Sequence, residues 1–241
     1  MNPEPRRSSV LSSLACSLGR RDELPNQELA RDLVRTRDTT AVQELADSLW
    51  NRDQNVRSDC LKVLYEIGYA APDLIADHVA SFLRLLGDKN NRMVWGAMIA
   101  LADVADLRPD EIWPRVDDVL RTVQNGSLIS VVWGTRVLAK VAASSSERRA
   151  ATFPALLRTL ETCLPRDVPT QAESILCAVD DSVREQYLAA IDRRAAEFSP
   201  SQRARLRRVL QGIRPSSQTG NLCVGDAGRR YDRSSQPRES R

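Results

Sequence analysis

Apolar residues recur in this chain at a fixed interval of 37 positions. One set of columns reads Leu64, Leu101, Leu138 and Ile67, Val104, Val141. A second set reads Val79, Val116, Phe153; Phe82, Val119, Leu156; Leu83, Leu120, Leu157; and Leu86, Val123, Leu160. With the middle copy as reference, all twelve flanking positions are apolar, where a chain that is 42% apolar would fill about five by chance. A period of 20 to 50 residues marks a solenoid or repeat array, whose units cannot bury an apolar face alone. One interval earlier, Val42, Leu45, Ala46 and Leu49 form a partial copy.

The spacing inside each copy is helical. Val79, Phe82, Leu83 and Leu86 fall at i, i+3, i+4 and i+7, which places them on one helix face. Four residues before each first-helix leucine stand Cys60, Ala97 and Gly134, small side chains that suit a close helix approach. Glycine inside a helix costs roughly 1 kcal/mol against alanine, so Gly96 and Gly134 are expected to mark tight packing. The expected fold is all-α: an α-solenoid of stacked antiparallel helical hairpins, an α-α superhelix of about five repeats of about 37 residues.

The segment DQNVRSDCLKVLYEIG, Asp53 to Gly68, resembles the first helix of a HEAT repeat through its acidic start, Val56, Arg57, Cys60, Val63, Leu64, Ile67 and Gly68. Later copies keep the apolar and small positions but have Val94 and Val131 in place of the arginine. The resemblance to the HEAT-like, armadillo-type family covers roughly residues 27 to 198. It implies a right-handed superhelix whose second helices line a concave face.

Taken in order, residues 1–25 are expected to be a flexible N-terminal arm, 26–213 the HEAT-like repeat domain and 214–241 a disordered basic tail, rich in Ser, Gly and Arg. Pro72, Pro109 and Ser144 to Ser146 mark turns within the hairpins, and the register slips from Pro165 onward. SPSQRARLRRVLQGI, from Ser199, has the start signals and apolar stripe of a closing helix. Val10 to Leu18 is broken by three serines, too polar for the core of an export signal, and no run approaches the 18 apolar residues of a membrane span. The expected location is cytoplasmic.

Net charge is +3, but each terminal arm carries three more arginines than acids, which leaves the middle near −3. The body is therefore not basic, and any nucleic-acid affinity would sit in the arms or the C-terminal cluster Arg193, Arg194, Arg203, Arg205, Arg207 and Arg208. Cys16, Cys60, Cys163, Cys177 and Cys223 include no CxxC pair and read as free thiols. His78 is the only histidine, so zinc sites built on histidine pairs are excluded by count. No GxxxxGK[ST], GxGxxG or GxSxG occurs. No catalytic residue, metal site or cofactor is expected.

Arg84, Arg121 and Arg158 also stand 37 apart, facing away from the apolar columns of the second helices, and Arg193 and Arg194 extend the row. Such a ladder suits carboxylates or phosphates. Against it, Asp88, Asp117 and Glu161 lie one helical turn from Arg84, Arg121 and Arg158 and offer local ion pairs. Trp95, Trp113 and Trp133 invite comparison with the alkylpurine DNA glycosylases among HEAT-like arrays. Ile99 and Val137, however, occupy the positions where that comparison needs a carboxylate, so packing is the expected role. The expectation is a non-enzymatic interaction scaffold or adaptor for a protein or peptide, with the five arginines as partner-binding candidates. The alternative is a nucleic-acid-binding, DNA-glycosylase-like array that uses arginines and tryptophans.

Overall fold

The computed structural model describes residues 9–211 and Ile213. Helices α1 (Leu24–Thr36), α2 (Thr39–Asp47), α3 (Gln54–Gly68), α4 (Val79–Leu85), α5 (Asn91–Val104) and α6 (Pro109–Ile112) build the first half. The second half holds α7 (Val116–Asn125), α8 (Leu128–Ala143), α9 (Ser146–Thr162), α10 (Val168–Ile175), α11 (Arg184–Asp192) and α12 (Pro200–Leu210). Short 3-10 turns join them, and no strand occurs among the described residues. The chain is an α-solenoid of stacked helical hairpins.

The repeat begins at its caps. Asp53, Asn90 and Ser127, again 37 apart, each accept a hydrogen bond from a backbone N–H in the first turn of α3, α5 and α8. Those first helices stack side by side, α1 on α3, α3 on α5, α5 on α8 and α8 on α10. Second helices rest on the first helix of the next unit, as α4 does on α5 and α7 on α8. The first-helix columns are sealed: Leu64, Leu101, Leu138, Ile67, Val104 and Val141 are all buried. Each such aliphatic side chain contributes about 1.5–3 kcal/mol when fully buried.

Close approach depends on the small residues. A Cβ on Gly96 would sit 2.7 Å from Leu61 Cδ2, and one on Gly134 would sit 2.4 Å from Val123 Cγ2. Both glycines therefore mark contact points between helices. In the first two copies the second helix starts only after a proline-led turn, at Val79 and Val116, whereas α9 runs unbroken from Ser146 with Pro154 inside it.

Charges bind neighbouring repeats as well. Arg37 pairs with Asp73, Arg57 with Asp88, Arg108 with Asp77, Lys140 with Asp106, Arg148 with Asp110, Arg149 with Asp180, Arg193 with Glu161 and Arg205 with Glu173. Each links residues roughly one repeat apart. The exposed pairs among them are worth about 0–1 kcal/mol each, so their main effect is on register between units, while Arg57–Asp88 is part-buried.

The expected N-terminal arm, 1–25, requires a correction. Within it, Leu14 and Ala15 are buried, the Ala15 N–H donates to Asn26 Oδ1 at 2.9 Å, and the Cys16 N–H donates to Asp59 Oδ2 at 2.8 Å. Leu14 and three satisfied amides, the third being the Val10 N–H donating to Glu44 Oε2 at 3.3 Å, seat this stretch on α1, α2 and α3, although its serine-broken pattern shows no helical period. Residues 1–8 and the tail expected at 214–241 lie outside the described residues. The closing helix forms as α12, with a reciprocal cap between Ser199 and Gln202 and with Leu206 and Val209 buried.

Candidate functional site

The second-helix layer carries the arginine column, and four of its five members are already engaged. Arg84 stacks over the Trp50 ring with Cζ 3.9 Å from the centroid. Arg121 pairs with Asp118, and Arg193 pairs with Glu161. Arg194 pairs with Glu197 at 2.8 Å and donates at 2.7 Å to the carbonyls of Leu160 and Cys163, closing the C-terminal end of α9. The Arg158 guanidinium alone of the five has no hydrogen bond, ion pair or ring partner among the described residues.

The expected local ion pairs form differently. Asp88 is taken by Arg57, Glu161 by Arg193, and Arg121 chooses Asp118 over Asp117. Acids one repeat away compete with acids one turn away, and linear spacing cannot rank them. Among the C-terminal arginines, Arg205 pairs with Glu173 and Arg203 donates to the Phe198 carbonyl at 2.9 Å. Glu197 serves Arg194.

Arg158 borders a groove of about 270 Å³ between α7 and α9. Both helices pack on α8 and scarcely on each other, which leaves the gap open. Leu120 and Val123 of α7, Val131 of α8, and Ala155 and Cys163 beside α9 supply its apolar lining, and Gln124 and Thr162 its polar edge. The repeat provides an internal comparison. In α7 only Val119 is buried, while Val116, Leu120 and Val123 are half-exposed. At the same columns Val79, Phe82 and Leu83 are buried in α4's copy, and Phe153, Leu156 and Leu160 in α9's. The apolar stripe of α7 is thus under-covered relative to its own repeats.

The first-helix layer holds a different cluster. Lys62, buried to 3% exposure, reaches Glu23 at 2.7 Å and Glu66 at 2.8 Å. Burial alone would lower its ammonium, but Tyr65, Glu23 and Glu66 more than offset that and hold it above its ordinary range. Trp95 packs on Tyr65, Tyr65 on Tyr69, and Tyr69 on Trp133, with ring centroids about 6 Å apart. Arg136 covers the Trp133 ring at 4.3 Å, and Arg148 lies over Trp113 at 5.6 Å. The tryptophans are packing residues that link repeats.

An acid that the sequence reading overlooked lies beside this row. Asp103 Oδ2 is shut off from solvent with no hydrogen-bond partner, although other atoms of the residue reach the surface. Burial pushes its carboxyl up to about 8, against the opposing pull of Lys140 and Arg136. A Cβ on Gly68 would lie 2.7 Å from that oxygen, so no space remains there for a reacting molecule. Glu66, Asp103 and Lys140 form another column spaced by 37, the one signal that sequence offered for the cluster.

Other reactive groups are muted. Burial lowers the His78 imidazole and raises the thiols of Cys16, to about 11, and Cys60, to about 12. Among the described residues Cys16, Cys60, Cys163 and Cys177 form no disulfide, and Cys223 lies outside them. Among the described residues no three His, Cys, Asp or Glu side chains converge as metal ligands, and no helix is long and apolar enough to cross a membrane.

No protein-family model and no curated protein matches the chain. Solved structures do. An engineered protein aligns with TM-score 0.60 at 18% identity, covering 86% of this chain and 97% of its own. A designed armadillo repeat protein in complex with the peptide (KR)4 aligns with TM-score 0.60 at 13% identity, covering 78% and 87%. The karyopherin Kap121p bound to the SUMO protease Ulp1p aligns with TM-score 0.57 at 14% identity over 84% of this chain, which spans 23% of that one. At such identities the likeness concerns the fold. This chain has a repeat fold of the HEAT/armadillo type.

Proposed function

We propose that the chain is a non-enzymatic scaffold that binds a protein or peptide segment across its second-helix face. The observation that carries this is the groove between α7 and α9, where three of the four stripe residues of α7 stay half-exposed while three of the four in each flanking copy are buried. Stacked hairpins supply an extended surface of this kind without reactive groups. Two solenoids of similar fold hold a peptide or a protein, which supports the reading. Nothing in the geometry favours the nucleic-acid alternative. The tryptophan rings are covered by arginine or tyrosine, and four of the five column arginines are spent within the molecule.

The test is capture from native extract with the full chain and with Val123→Asp, with and without nuclease, at two salt concentrations. A protein that survives nuclease and salt and is lost with Val123→Asp is the expected result. Partners that vanish with nuclease or weaken steeply with salt would replace this reading with phosphate-backbone binding.

A further inference from the structure

The α7–α9 groove has a chemistry narrower than "peptide". Its volume of about 270 Å³ falls just below the roughly 300–1,000 Å³ of small-molecule sites, and its lining surface is mainly apolar. That combination suits one inserted side chain of a macromolecular partner rather than a free metabolite. At its border stands Arg158, its exposed guanidinium without a partner among the described residues, while the nearest acid on its own helix, Glu161, is held by Arg193. An unpaired guanidinium offers a planar fork of donors that matches a carboxylate. Gln124 and Thr162 add neutral hydrogen-bonding groups and no competing charge.

We infer that this groove recognises a protein segment presenting a branched apolar residue next to an acidic one, the apolar side chain covering Leu120 and Val123 and the carboxylate pairing with Arg158. This rests on the scaffold reading above and adds the sign of the partner's charge. The preference is opposite to that of the similar designed armadillo protein, whose bound peptide is (KR)4. The charge complementarity runs the other way here because the cation is on the solenoid. A second copy of the chain is disfavoured as occupant, since a two-fold contact at this groove would bring Arg158 towards its own equivalent.

The experiment is selection of random displayed heptapeptides on the full-length chain, on Arg158→Glu and on Arg121→Glu, with affinities of synthesised winners read by fluorescence anisotropy. Expected is enrichment of an apolar–acidic pair on the wild type, with binding about ten- to hundredfold weaker on Arg158→Glu. Selection on Arg158→Glu is expected to enrich an apolar–basic pair instead. Arg121→Glu, with its arginine outside the lining, is expected to leave the winners unchanged. Winners that are lost only with Arg121→Glu, or that show no acidic preference, would overturn this inference and leave the scaffold reading standing. Absence of any winner would overturn both. Self-association of the wild type in light scattering, abolished by Arg158→Glu, would assign the groove to a second copy and overturn the inference.

Discussion

Replacing Asp103 by asparagine isolates the cost of a buried carboxyl. An unfolded aspartate releases its proton near pH 4, whereas burial keeps the folded Asp103 protonated to about pH 8. Between these values the native state holds one proton that the unfolded chain has lost. Stability therefore falls as pH rises, by about 1.4 kcal/mol per pH unit from this group. Glu66 and Asp106 act in the same direction, and Lys140 and Arg136 oppose them. Carboxylates held low by their partners, Asp88 and Asp180 among them, change only below this window. From pH 5 to 8 the loss sums to about 3–4 kcal/mol, near 10 °C in Tm for a chain of this size. The asparagine side chain has the same shape as the aspartate it replaces and no charge to bury. Melting curves at pH 5, 6.5 and 8 should show the variant and wild type within about 2 kcal/mol at pH 5 and diverging steadily above it, with the variant more stable. Parallel curves would show that Asp103 ionises at its ordinary value and that Oδ2 is not shut off.

Three further perturbations follow from the packing. Gly126→Ala would place a Cβ 2.3 Å from the Thr122 carbonyl, a backbone atom that cannot swing aside, and should cost about 1–3 kcal/mol in urea titration; no loss would mean that the α7–α8 junction is slack. Lys62→Ala leaves Glu66 half-buried without its ammonium, and because Glu23 is partly solvated the expected cost is about 1–3 kcal/mol, with Lys62→Met recovering part of it. Leu14→Ala should cost about 2–5 kcal/mol and raise proteolysis before Asn26, whereas an unchanged melting curve would restore the mobile arm.

The arginine column shows where linear reading stops. Its 37-residue spacing was visible, and so were the acids one turn away. Which acid each arginine takes was not, because Asp88 and Glu161 are reached at least as well by Arg57 and Arg193 of neighbouring units. Trp50 was likewise inconspicuous until Arg84 closed over it. Residues 9–21 read as an arm because a short segment anchored by one leucine and three amide hydrogen bonds has no periodicity to detect.

Sequence by itself determined the solenoid, since apolar columns at helical spacing and at one fixed interval can be buried only by stacking like units. It also placed the closing helix, whose Ser-Pro start and Gln202 cap are local signals. Tertiary structure alone decided what is left exposed. Val116, Leu120 and Val123 are as apolar as their equivalents in the flanking copies, and nothing in their letters sets them apart. Burial is a property of the neighbours, and α9 lies too far from α7 to cover them.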